Sequence, residues 1–187
     1  EFLSKKFKKE GKEVMLIYNK DLAVCPITTH IPLKKVSNQL NKIKIVNKVK
    51  TINNFYKRFF NKNPNFGILG LNPHNFSPLK NTEEKRIIIK AINDLKKLKI
   101  KVFGPISPDS SFTLSNKNNF DVLIGMYHDQ VLAPVKTLFK FNAINITIGL
   151  PFIKITPDHG PNFEMIGKNK SDPSSIFYAL DFINKIK

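Results

Sequence analysis

One cysteine, no tryptophan, eight glycines and few acidic residues mark this 187-residue sequence by what it has little of. A lone Cys25 excludes an internal disulfide framework and fits a reducing compartment. Set inside DLAVCPI, it reads as a small buried apolar residue. No apolar run approaches the roughly 20 residues needed to cross a bilayer, and no charged-then-apolar signal opens the chain. A cytoplasmic protein with no membrane partner is the expectation. The glycines never fall into GxGxxG, so a Rossmann dinucleotide site is unsupported. Acids are outnumbered 14 to 31 by lysine and arginine, for a net charge of +17. Such a field concentrates polyanions. Here, however, the basic residues are almost all lysine and run from KKFKK through KIKIVNKVK to KKLKIK, in company with abundant Asn and Ile. An AT-rich coding sequence produces that composition without selection for binding. A nucleic-acid partner is therefore not expected, whereas a phosphorylated small molecule suits the same field.

What is present is an alternation of short apolar runs with helical patterns. FLSKKFKKE reads as a short basic helix, and EVMLIYN and DLAVCPI as strands separated at Asn19-Lys20. Pro32 suits the first turn of a helix through LKKVSNQL. IVNKVKTINNFYKRFF carries apolar residues at helical spacing, and NFGILGLN is a compact strand. TEEKRIIIKAINDLKKL is a helix whose free N–H groups Thr82 can cap, with Glu83 and Glu84 at the positive end of its dipole. KVFGPI and DVLIGMY are further strands, DQVLAPVKTLF is a helix, AINITIGLPFI is β-rich, and SSIFYALDFINKI closes as an amphipathic helix. Strands alternating with helices predict an α/β class, a layered α/β/α fold with a largely parallel sheet, and no internal domain boundary within residues 1–187.

Three of the four histidines follow strands on this reading: His30 after DLAVCPITT, His74 after FGILGLN and His128 after DVLIGMY. A parallel sheet brings such ends to one rim, where ligands gather. Neutral imidazole is the commonest ligand for a borderline divalent ion, and three protein ligands with an open position suit catalysis. Any one of these histidines taken singly is more simply a surface or core residue. Asp109 in GPISPDS and Asp129 beside His128 are placed to orient an imidazole or relay a proton. Asp109 reads equally well as a turn residue after Pro108.

The strings TTHIPLKKV, GLNPH followed by TEE, GPISPDS, FDVLIGMYHDQVLAPVK, INITIGLPFIKITPDHG and EMIGKNKSDPSS together resemble, in order and spacing, the 4-hydroxythreonine-4-phosphate dehydrogenases. These are NAD-dependent enzymes of pyridoxal phosphate biosynthesis. The resemblance implies an isocitrate/isopropylmalate dehydrogenase-like fold. It implies that His30, His74 and His128 bind one divalent cation (zinc, magnesium or cobalt) in a site shared across a homodimer. By the same resemblance Lys136, Asn145 and Lys154 contact a small phosphorylated amino-acid substrate, with Lys136 and Asp109 as catalytic residues. Asp158, His159 and Gly160 resemble the loop that holds the adenosine part of NAD, which would leave His159 outside the metal cluster. The implied reaction is oxidation of the secondary alcohol of 4-phosphooxy-L-threonine to a 3-keto acid that loses CO₂.

The sequence departs from the family pattern at three places. NFSPLKN stands after His74 where the family has a Gly-rich segment with a Glu, Lys154 replaces an arginine, and the chain starts at EFL, where a Gly-His-Thr motif and a longer upstream region are expected. The expected reading is thus a C-terminal portion with the N-terminal part missing, poorly active alone. A dehydrogenase of another phosphorylated hydroxy acid, an inactive fragment and a basic nucleic-acid-binding protein are the alternatives.

Overall fold

The computed structural model describes residues 2–75, 81–113, 119–160 and 163–186. A seven-stranded sheet organises them. Its strands in chain order are β1 (Val14–Tyr18), β2 (Ala23–Pro26), β3 (Phe66–Leu69), β4 (Val102–Ile106), β5 (Val122–Gly125), β6 (Ile144–Ile148) and β7 (Lys154–Pro157). Across the sheet the order is β4-β3-β5-β2-β1-β6-β7. The first four of these pair in parallel, while β1 lies antiparallel between β2 and β6, and β7 returns antiparallel on β6. Five of the seven strands therefore share one direction, which makes the sheet mixed but largely parallel.

Four of the strands, β2, β3, β5 and the inner half of β1, are short and almost wholly apolar because helices cover both faces. The helices are α1 (Phe2–Lys6), α2 (Val36–Gln39), α3 (Lys42–Phe60), α4 (Ile89–Lys97), α5 (His128–Phe139) and α6 (Ser174–Lys185). Side chains alternate across the sheet. Ala23, Cys25, Ile68, Val122 and Ile124 pack with α3 and α4 through Ile45, Val49, Ile52, Ala91 and Leu95. Ile17, Val24, Leu69 and Leu123 pack on the opposite face against Val131, Leu132 and Val135 of α5. Each fully buried Ile or Leu here contributes on the order of 1.5–3 kcal/mol by leaving water.

The helix ends follow local chemistry. Asn41, extended at φ −148°, accepts a hydrogen bond from the Lys44 N–H at 2.8 Å and starts α3, and Asn61 ends it in the left-handed conformation. The single helix expected through LKKVSNQL is instead a 3₁₀ turn (Leu33–Lys35) leading into the four-residue α2, because Leu40 turns extended to present the Asn41 cap. The helix expected from Thr82 begins as a π turn, Glu84–Ile88, before α4. The Thr82 cap is present but long, at 3.4 Å to the Lys85 N–H.

Candidate functional site

His30, His74 and His128 all follow carboxyl ends of strands that run in the same direction, β2, β3 and β5. Asp109 follows β4 on the same rim. The strand order then sorts them into two pairs. His30 and His128, on neighbouring strands, have ring centroids 5.4 Å apart. His74 turns toward β4, with its Nδ1 3.3 Å from Asp109 Oδ2, and both side chains are largely exposed. Among the described residues no group of three or more His, Cys, Asp or Glu side chains is gathered closely enough to hold an ion. Within one chain, then, two of the three expected ligands meet and His74 stands apart.

The His30–His128 pair has the dimensions of two ligands on one cation. Tetrahedral imidazole ligands with metal–nitrogen bonds near 2.1 Å place their ring centroids roughly 5 Å apart. Asp129 Oδ1 lies 2.6 Å from His128 Nδ1, so the ring is oriented by a carboxylate and Nε2 is the nitrogen left for a ligand. Asp109 stands to His74 in the same relation. Its carboxyl is held below the usual aspartate range first by the Ser107 hydroxyl, which donates at 2.7 Å, with the nearby His74 imidazole acting in the same direction.

Gln130 explains why an amide belongs in MYHDQ. Its Nε2 donates to the Gly70 carbonyl at 2.8 Å, while its Oε1 accepts from the Met126 N–H at 2.6 Å. One side chain thus ties the end of β3 to the end of β5. Gly125 permits this, since a Cβ there would run into Val131 and the Gln130 carbonyl oxygen. Thr28 adds a second tie, its hydroxyl donating to the Met126 carbonyl at 2.8 Å.

An open cleft of about 550 Å³ lies below His30 and His128. Its walls carry Lys136 from α5, Asn145 from β6, and Asp158, His159 and Gly160 from the segment after β7. Five sequence-predicted residues beyond the two histidines therefore share one cavity, His159 included. Asp158 is buried, and Lys136 Nζ stands 2.8 Å from its Oδ2 while donating to its backbone carbonyl. The ammonium is aimed at the carbonyl, so the carboxylate contact is an ion pair without hydrogen-bond alignment. Asp158 is itself fixed by Ser175, whose hydroxyl accepts from the Asp158 N–H at 2.9 Å and donates to the Ala143 carbonyl at 2.8 Å. The Asn145 Oδ1 is buried with no hydrogen-bond partner. Lys154 lies in an adjoining cleft of about 350 Å³ that shares Met15, His30 and Asn145 with the first. Of the segment NFSPLKN after His74, residues 76–80 lie outside the described residues.

Sequence reasoning missed one residue of consequence. Glu83 and Glu84 were expected to serve the helix dipole, yet Glu84 is buried, and its Oε1 accepts from the backbone N–H groups of Leu71 and Asn72 at 2.9 and 2.8 Å. The Asn72 amide donates to Oε2 at 2.9 Å. These bonds anchor the turn in which His74 and Asn75 both adopt left-handed backbone, φ 56° and 55°. Such conformations are costly outside glycine and persist only where surroundings enforce them. Asn75 adds a bond from its Nδ2 to the Pro105 carbonyl at 2.9 Å. The signal was the acid pair placed just after an apolar strand and its Asn-Pro turn, which a dipole argument had already explained.

Comparison with known proteins agrees with this architecture. The sequence is 43% identical over 175 residues to a 4-hydroxythreonine-4-phosphate dehydrogenase from Sulfurihydrogenibium sp., covering 92% of this chain and 54% of the relative. The enzyme of that name from Aquifex aeolicus is 42% identical, with 92% and 53% covered. A solved 4-hydroxythreonine-4-phosphate dehydrogenase from Klebsiella pneumoniae superposes with a TM-score of 0.82 at 30% identity, over 99% of this chain and 57% of that one. The chain spans about half the length of the relatives it matches. A family model described as pyridoxal phosphate biosynthetic protein PdxA matches residues 1–183, and the chain belongs to that family.

Proposed function

We propose that this chain carries the substrate and metal side of an NAD-dependent dehydrogenase that oxidises 4-phosphooxy-L-threonine to a 3-keto acid, which decarboxylates to 3-amino-2-oxopropyl phosphate. The observation that carries the reading is the shared cleft: His30, His128, Lys136, Asn145, Asp158, His159 and Gly160 come from four separate segments and line one cavity. Family membership and the names of the relatives support the same activity.

His30 and His128 would hold the divalent cation, with His74 of a second copy completing the set in a homodimer, which accounts for its distance from the pair within one chain. When bound, a zinc, magnesium or cobalt ion supplies Lewis-acid stabilisation of negative charge on the substrate oxygens. Asp129, bonded to Nδ1, would fix the His128 ring and leave Nε2 as the nitrogen to hold the ion. Lys136, held by Asp158, presents its remaining N–H donors to the substrate hydroxyl or carboxylate. Asn145 lines the same cleft, and its side-chain amide has both a donor and an acceptor to offer the substrate. His159 and Gly160, exposed at the cleft mouth, are the segment we assign to the adenosine part of NAD. Because Lys136 occupies the Asp158 carboxylate, we assign Asp158 to positioning Lys136 instead of direct contact with the cofactor. Asp109 would orient His74 as Asp129 orients His128.

The test is NADH formation from 4-phosphooxy-L-threonine by the protein expressed from its own gene. Turnover that a chelator abolishes and that His128→Ala removes is the expected result. NADH formation indifferent to both would refute the assignment. If another phosphorylated hydroxy acid is turned over faster in the same assay, the runner-up substrate replaces this one.

A further inference from the structure

A chain of polar contacts joins the segments that carry His128 and His74. Gln130, in the first turn of α5 and two residues after His128, is the link between them. Its Nε2 donates to the Gly70 carbonyl at 2.8 Å and its Oε1 accepts from the Met126 N–H at 2.6 Å. Gly70 is buried at the end of β3, with its own N–H bonded to the Ile106 carbonyl at 2.9 Å. A Cβ on Gly70 would collide with the Asn75 side-chain oxygen, so that side chain lies directly against it. Leu71 and Asn72 follow, their N–H groups bonded to Glu84, and then come the left-handed His74 and Asn75. The Asn72 amide also donates to Glu83 at 3.1 Å, and Glu83 accepts from the Ser37 hydroxyl on α2. The turn that carries His74 is thus built on a peptide group whose carbonyl is held from α5.

We propose that Gln130 is a positioning residue that carries order from the cation held by His30 and His128 to the turn bearing His74. This rests on, and deepens, the functional reading above, in which His74 serves the site of a second copy. An ion on His128 restrains the first turn of α5, and with it the Gln130 side chain. The bond to the Gly70 carbonyl passes that restraint into the Gly70–Leu71 peptide, whose N–H is bonded to Glu84. The entropy lost in ordering the His74 turn is then lost before His74 meets an ion, so filling one site of a dimer favours filling the other without a change of shape. A glutamine suits this task because one planar amide offers a donor and an acceptor a fixed distance apart, and both of its partners are backbone groups. The tie from the Thr28 hydroxyl ends at the Met126 carbonyl, so the two ties are separable by mutation.

The readout is amide exchange, followed by mass spectrometry in peptides spanning Leu71 and Asn72, with and without saturating cobalt(II), whose absorption band confirms occupancy. His74→Ala is the background, because it removes direct contact between the turn and any ion. There, cobalt is expected to slow exchange of these amides about five-fold or more, the lower end of ordinary coupling between sites. Adding Gln130→Glu keeps an acceptor for the Met126 N–H, removes the donor to Gly70, and should abolish the protection while the band remains. Gln130→Met, which removes both bonds, should do the same. Thr28→Val in the same background loosens the end of β5 but leaves the Gly70 bond, and should keep the protection. With His74 in place, cobalt titration at a protein concentration that keeps the chain dimeric should be cooperative in wild type and lose that cooperativity in Gln130→Glu. Protection that survives Gln130→Glu, no protection in the His74→Ala background, loss of protection in Thr28→Val or a non-cooperative wild type overturns the proposal. Loss of the band in both Gln130 variants also overturns it, since Gln130 would then support the cation site itself. All of these outcomes occur with a band in wild type and leave the metal reading standing, whereas wild type without a band overturns that reading and this proposal with it.

Discussion

Replacing Glu84 with alanine removes the acceptor for three donors at once: the N–H groups of Leu71 and Asn72 and the Asn72 side-chain amide. Hydrogen bonds to a charged acceptor contribute about 1.5–3 kcal/mol each. Leu71 and Asn72 are half-buried, so water can satisfy part of what is lost. A total cost of about 2–4 kcal/mol follows, or a urea midpoint lowered by about 1–2 M for a slope near 2 kcal/mol/M. Glu84→Gln keeps an acceptor for both backbone groups but turns a donor toward the Asn72 amide, so about 1–2 kcal/mol is expected. The pH dependence gives an independent check. Burial pushes the Glu84 carboxyl upward most, but the bonds from Asn72 and Leu71 together outweigh it, and the group ends below its ordinary value. A carboxylate depressed in the folded state stabilises fully above its unfolded pKa and loses that contribution as pH falls through the folded one. Glu84→Gln should therefore flatten the loss of stability below about pH 4.3. The turn carrying His74 should loosen in both variants, seen as faster exchange of the Leu71 and Asn72 amides. An alanine variant within about 0.5 kcal/mol of wild type, with unchanged exchange, would refute the assignment of Glu84 as the anchor of that turn.

Burial pushes the Cys25 thiol up to about 11, with the Lys48 charge only partly opposing it. At pH 8 about one thiol in a thousand is then ionised, so Ellman's reagent should label the folded protein negligibly and label it at once in urea. Rapid native labelling would place Cys25 outside the core. Imidazoles ligate only when neutral, so zinc affinity measured by calorimetry should fall steeply between about pH 7.5 and 5.5. Equal affinities would mean that carboxylates hold the ion.

Much of this was legible because apolar runs bounded by turn residues mark strands whatever their partners. The carboxyl ends of β2, β3 and β5 followed, and with them His30, His74 and His128. Pairing was not legible. AINITIGLPFI read as one β-rich run, whereas Gly149 at φ 84° turns the chain and β7 returns antiparallel from Lys154. Which histidines meet depends on strand order, and a single sequence does not contain the fact that β5 sits between β3 and β2. The burial of Lys48 was invisible for a different reason: in KIKIVNKVK every lysine has the same local context, and only the packing of α3 on the sheet singles out one. Asp158 was visible as chemistry but not as a partner of Lys136, since those two positions meet only through tertiary contact.

The central claim is that the strand-end histidines bind one cation, and cobalt(II) reports it directly, because imidazole ligation gives the ion a visible absorption band. Titration of the wild-type protein should saturate at one cobalt per chain. His30→Ala and His128→Ala should abolish the band. His74→Ala should weaken binding and abolish its dependence on protein concentration, since that ligand is expected from a second copy. A band that survives His30→Ala or His128→Ala unchanged would contradict the account.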